Sequence, residues 1–170
     1  MPAKPIRPIR IEGNIAYVPL TQGHEAIVDV DDLPIVQGYN WSARLSGKNV
    51  YAQRADWQQG TLSIVTMHRA IMCAPSGVEV DHENCNGLDN RRLNLRLATH
   101  QQNAWNTPIT KANSSGFKGV SWNKQKRKWE ARISAGESKK FLGYFDAPEA
   151  AHAAYCKAAK QHHGQFRRVK

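Results

Sequence analysis

No apolar run in this 170-residue chain approaches the ~20 residues a helix needs to cross a bilayer, which excludes a helical membrane span. The basic N-terminal arm, MPAKPIRPIR, has no apolar stretch behind it and does not read as a secretion signal. Cysteine is scarce. Cys73, Cys85 and Cys156 are odd in number and lack C-x-x-C spacing, which argues against a disulfide framework and a four-Cys zinc knuckle. A reducing, cytosolic compartment is the expected setting. The first two thirds also lack any excess charge: residues 1–67 hold six basic and six acidic side chains, and residues 68–110 hold four of each.

The whole net charge of +10 therefore falls in residues 111–170, with fourteen basic and four acidic side chains. A basic third beside two neutral ones suggests a dedicated polyanion-binding module. A solvated basic tail is the alternative, weakened because this third is also aromatic and patterned. A hydrophobic content of 41% with five Trp argues against disorder, and the length suits one ordinary domain or two small ones.

In chain order, residues 15–20 and 25–30 read as short strands around a turn at 21–24. Residues 31–36 read as a capped helical turn with Pro34 near its start. Residues 39–45 and 49–54 flank Ser46-Gly47-Lys48, a hairpin signature. A strand at 62–65 leads into one or two helical turns at 67–72. His24 reads as a turn residue. His68 is either packed or a neighbour of a central site, and packing is preferred.

Residues 80–106 open with an adjacent acid and imidazole, Asp81-His82, and then set out Asn90, Asn94, Asn103 and Asn106. Asn is a poor helix-interior and strand residue, so the cluster asks for a reason. Turns are one reason. An oxygen-and-nitrogen site that holds a hard cation and activates a water is another. The pattern predicts a strand ending at Asp81-His82, a turn at Asn86-Gly87, a returning strand at 94–99, and a short helix capped by Thr99 that carries Asn103 and Asn106 on one face.

The ordered elements at 67–69 (MHR), 80–82 (VDH), 88–96 (LDNRRLNLR) and 102–106 (QNAWN) resemble the HNN variant of the HNH nucleases, as seen in phage and intron-type homing endonucleases. That resemblance implies a ββα-metal nuclease module. It implies Asp81 as a metal ligand, His82 as general base, Asn94 as the residue bracing the loop and His82, and Asn103 as the second ligand. The residue types suit that chemistry. An imidazole can take a proton from water at neutral pH, and a carboxylate with an amide oxygen suits one Mg²⁺ or Mn²⁺ ion per active site rather than softer Zn²⁺. Asn90 and Asn106 are expected to be scaffolding and Cys85 incidental. Arg91, Arg92 and Arg96 either touch phosphate or pair with Asp89 or Glu83.

In the basic third, residues 111–116 read as a linker. Strands are expected at 117–122, 128–134 and 139–145, followed by a helix from Glu149 to about His162, opened by Pro148. On the middle strand Trp129, Ala131 and Ile133 share one face, and Glu130, Arg132 and Ser134 share the other. Trp122 and Trp129 are expected in the core, and His152, His162 and His163 on the surface. The elements KGV, WEARI, LGYF and EAAHAAY, over residues 115–166, resemble the Apetala/ethylene-response-factor (AP2/ERF) DNA-binding domain. The resemblance implies a sheet that enters the major groove, with Lys118, Ser121, Asn123, Arg132, Ser134, Lys139 and Phe141 facing it. Lys124, Lys126, Arg127 and Lys128 read as phosphate contacts.

The expected fold is α+β: a small N-terminal β-rich unit (1–66), a ββα-metal nuclease module (67–110), a linker (111–116), and a three-stranded antiparallel sheet packed on one α-helix (117–170). The expected function is a homing-type, metal-dependent endonuclease hydrolysing phosphodiester bonds of double-stranded DNA in the cytoplasm of a bacterial or phage-infected cell. No membrane or small-molecule partner is expected, and one active site per chain favours nicking by a monomer. The alternatives are a sequence-specific DNA-binding regulator with a silent site and, more weakly, an RNA-directed protein.

Overall fold

The computed structural model describes residues 5–58, 60–136 and 138–169. The start of the basic arm (Met1 to Lys4) and Glu137, in the expected turn between the last two strands, lie outside the described residues. Among the described residues the fold is mixed α+β, with four small antiparallel sheets and few helices. Two compact units divide it, one running to Thr99 and the other beginning at His100. No helix among the described residues is long and apolar enough to cross a membrane.

In the first unit, β1 (Arg10–Glu12), β2 (Ile15–Pro19) and β3 (Glu25–Asp29) form a meander. Alternation along β2 and β3 buries Ala16, Val18, Ala26 and Val28 on one face. After the short helix α1 (Leu33–Val36), a second sheet forms from β4 (Ser42–Ser46), β5 (Asn49–Gln58) and β6 (Thr61–Thr66). The helix α2 (Met67–Ile71) then leads to a strand pair, β7 (Glu79–His82) and β8 (Leu95–Ala98), in which Asp81 stands opposite Arg96 and His82 opposite Leu95. Val80 and Leu95 of this pair share one core with Val18, Val28, Trp41, Met67 and Ile71. Each large side chain there contributes roughly 1.5–3 kcal/mol by leaving water. The N-terminal strands and the Asp81-His82 strand pair are thus a single packed body.

The second unit begins with the helix α3 (His100–Trp105). It continues with β9 (Val120–Asn123), β10 (Lys128–Ala135), β11 (Ser138–Phe145) and the helix α4 (Pro148–His162). The sheet order is β11-β10-β9. Val120, Ala131 and Ile133 face α4 and meet Ala151, Tyr155, Ala158 and Ala159. The close approach depends on Gly119, whose φ is +74° and where a Cβ would lie 2.2 Å from the Tyr155 ring. That turn also explains why the first strand starts at Val120 rather than at 117.

Three expectations for this unit change. Trp122 is 44% exposed rather than in the core, because it sits opposite Trp129 at the end of the sheet, with the two rings edge-on at 5.1 Å. His163 is buried rather than on the surface, stacked on Trp105 at 4.3 Å, with its Nε2 2.6 Å from the Ser134 carbonyl. His152 is half-buried and stacks on Phe117 at 4.8 Å. Only His162 of the three is exposed.

The segment read as a linker is a hydrogen-bonded turn. Asn113 Oδ1 accepts from the backbone N–H of Ser115 and of Gly116, both at 2.9 Å. Lys118 Nζ donates to the carbonyls of Trp105 at 2.5 Å and Thr107 at 2.7 Å. With the Trp105–His163 stack, these bonds fasten α3 to the sheet-and-helix unit.

Candidate active site and nucleic-acid interface

β7 carries Asp81 and His82 out of the core at its end, and both side chains remain buried. Asp81 meets its cross-strand partner Arg96, with Nε 2.7 Å from Oδ2. At 14% side-chain exposure, Arg96 is held against Asp81 and lies 3.9 Å from Glu83. This is the pairing that antiparallel register favours for opposite charges directly across a strand pair.

The loop from 83 to 94 is built almost wholly from amide hydrogen bonds. Asn94 Oδ1 accepts from the Asn84 N–H at 3.0 Å, and Asn94 Nδ2 donates to the Asp89 carbonyl at 2.7 Å. Asn86 Oδ1 accepts from the Leu88 N–H at 3.1 Å. From outside, the Ile27 backbone clamps the loop, giving its N–H to Leu88 O and accepting from the Asn90 N–H, each at 2.7 Å. Asn94 therefore braces the loop. The bond to the His82 ring comes from Asn90, whose Oδ1 is 3.4 Å from Nε2. Asn90 Nδ2 donates to Leu88 O at 3.1 Å, which turns the amide oxygen toward the imidazole.

An acceptor at Nε2 favours the tautomer protonated there. Burial pushes the His82 imidazole below its ordinary value, against the raising effects of Asn90, Asp81 and Asp89. A neutral imidazole with a set tautomer can accept a proton from water.

Arg91, Arg92 and Arg96 all have acidic partners. Arg91 binds Asp89 through two bonds of 2.7 Å, and these hydrogen bonds hold the Asp89 carboxyl below its ordinary value. Arg92 forks onto buried Asp32 at 2.6 and 3.0 Å. Arg91 and Arg92 keep 40% and 53% side-chain exposure, so both can still present charge outward while anchoring the loop. Asn103 lies on α3 and is half-buried. Among the described residues no three His, Cys, Asp or Glu side chains gather as a metal site.

On the sheet of the second unit, Ser121, Asn123, Arg132, Ser134, Lys139 and Phe141 share the face turned away from α4. Arg132 stands opposite Phe141, and Ser134 opposite Lys139. Glu130 is buried on that same face, accepting from Asn123 Nδ2 at 2.9 Å and from Arg132 Nε. Lys124, Lys126, Arg127 and Lys128 lie in or beside the turn between β9 and β10.

Sequence reasoning missed Asn90 and Tyr51 as neighbours of His82; His68, read as either packed or a neighbour of the site, is both half-buried and 5.1 Å from the His82 ring. The resemblance implied Asn94 as the residue bracing His82 and left Asn90 as scaffolding, whereas the amide that reaches the ring is that of Asn90.

Residues 74–105 match the model of the HNH endonuclease family. It is 34% identical over 96 residues to Protein 3.8 of Escherichia phage T7, covering 56% of this chain and 78% of that protein. It is 37% identical over 111 residues to the uncharacterized HNH endonuclease L560 of Acanthamoeba polyphaga mimivirus, covering 62% of this chain and 54% of that protein. The alignment thus spans about half the length of the mimivirus relative. Among solved structures, the HNH homing endonuclease I-HmuI, described for DNA binding and cleavage, aligns over 86% of this chain and 78% of its own. The identity is 18% and the TM-score 0.35, a likeness too distant to specify the fold.

Proposed function

We propose that the chain is a metal-dependent endonuclease that hydrolyses a phosphodiester bond of double-stranded DNA. The observation that carries this reading is the buried Asp81-His82 pair, held by Asn90, Asn94 and Arg96 inside the segment that matches the HNH family.

His82 accepts the proton of an attacking water at Nδ1, while Asn90 holds the opposite nitrogen. As the water oxygen bonds to phosphorus, the bond to the leaving 3′ oxygen breaks. Asp81 and Asn103 would hold one Mg²⁺ or Mn²⁺, and their hard oxygen donors fit such an ion. When bound, the ion would offset charge on the phosphate and the leaving oxygen. Arg96 fixes the Asp81 carboxylate through Oδ2. Asn94 acts through the loop that it ties together.

The second unit supplies affinity in this reading. Its sheet face would meet the duplex in the manner of an AP2/ERF domain, with Lys124, Lys126, Arg127 and Lys128 on phosphates. The first two thirds carry no net charge and would hold DNA weakly alone.

Supercoiled plasmid tests the catalytic assignment. Nicking is expected with Mg²⁺, and none with EDTA or with His82→Ala. Cleavage by His82→Ala equal to the parent would refute His82 as the base.

A further inference from the structure

Two side chains from the N-terminal strands and α2 meet His82, although neither belongs to the Asp81-His82 strand pair. Tyr51, on β5, places its ring centroid 5.8 Å from that of His82. His68, in the first turn of α2, lies 5.1 Å from His82 at an interplanar angle of 77°. Tyr51 and His68 also touch each other, with centroids 5.8 Å apart. Three rings from three separate elements thus close into one cluster.

The loop presses on this cluster from its own side. A Cβ at Gly87 would lie 2.6 Å from Cδ1 and Cε1 of Tyr51 and 2.6 Å from the Val50 carbonyl. Only glycine lets the loop approach that closely. Asn49 Nδ2 reaches the Tyr51 hydroxyl at 3.3 Å, and Thr66 Oγ1 lies 3.3 Å from His68 Nε2. Both rings are therefore tethered at their far ends. Burial, followed by the nearby His82 and Arg69, pushes His68 down to about 3, so it adds no charge beside the base at neutral pH.

We propose that Tyr51 and His68 are positioning residues that clamp the His82 imidazole in the rotamer and tautomer presenting Nδ1 to water. The proposal rests on His82 being the general base. Asn90 sets one end of the ring, and the Tyr51–His68 pair sets its plane. An imidazole that tumbles or changes tautomer spends only part of its time aimed at the water, so the loss should fall on the chemical step rather than on DNA binding. The N-terminal strands would then take part in catalysis by shaping the base.

Imidazole ¹⁵N spectra of full-length protein, together with single-turnover nicking at saturating DNA, test this. The parent should show His82 as one tautomer, protonated at Nε2. Tyr51→Ala and His68→Ala should give averaged His82 signals and nick about tenfold or more slowly, with DNA affinity within about twofold. Tyr51→Phe keeps the ring and should retain nicking within about twofold of the parent. Gly87→Ala moves Tyr51 from the loop side and should reproduce the loss, which keeps the test decisive if a Tyr51 truncation does not fold.

A single, unchanged His82 tautomer in both His68→Ala and Gly87→Ala would overturn the clamp, whether or not the protein cleaves DNA. Absence of metal-dependent nicking by the parent would instead refute the general-base reading, while the spectra still decide whether the ring is clamped.

Discussion

The amide oxygen of Asn90 lies 3.4 Å from Nε2 of His82, and the amide nitrogen of Asn90 is committed to the Leu88 carbonyl at 3.1 Å. The second bond gives the first its direction, because a flipped amide would lose both. Asn90→Ala should therefore slow metal-dependent nicking about 10–100-fold while DNA affinity is retained, since only orientation of the base is lost. Asn94→Ala should differ in kind. It removes bonds to the Asn84 N–H and the Asp89 carbonyl, so its melting temperature should fall along with its activity. Thermal unfolding of both variants, measured beside nicking, checks the distinction.

Asp32 is buried and carries the forked guanidinium of Arg92, which lies sixty residues further along the chain. Asp32→Ala should cost about 1–3 kcal/mol. The cost is limited because Arg92 is half-exposed and regains water once its partner is gone. The denaturant midpoint should drop at unchanged slope.

His68 sits near 3 in the folded chain against an ordinary value of 6.5. Between those values the unfolded chain binds more protons, so stability rises with pH across that window. The effect is complete above pH 6.5 and is lost progressively as pH falls toward 3. Subtracting the stability profile of His68→Phe from that of the parent should leave a slope of up to about 1.4 kcal/mol per pH unit in the window, and none above it. Urea unfolding at a series of pH values measures it.

DNA affinity should fall steeply with salt, because the basic charge is concentrated in the second unit. Lys126→Ala and Arg127→Ala should each flatten the plot of log affinity against log salt by about one unit, uniformly across sequences. Arg132→Ala, on the face away from α4, should instead reduce the difference between preferred and random DNA. Fluorescence anisotropy over a salt series separates the two classes.

The strands were largely legible from alternation and turn chemistry. The hairpin at Gly47, the pair of β7 and β8, and the Pro148 helix all fall where period and punctuation put them. The Asp81-His82 pair was legible too, because an acid and an imidazole at the end of a strand are adjacent in the chain. The partners of the arginines were less so. Asp89 lies two residues from Arg91 and was weighed as a partner, whereas Asp32 was beyond any local reading.

What the sequence determined by itself was local: the period of each element, the turns, the segregation of charge, and the motif that marks the family. What only the tertiary structure decided was distant. Asn90 rather than Asn94 reaches His82, Tyr51 and His68 close around that ring, His163 is buried under Trp105, and α3 is fastened to the second unit. Periodicity reports which face of an element is buried. It carries no information on which side chain from another element will meet that face, because such a contact depends on how separate elements pack.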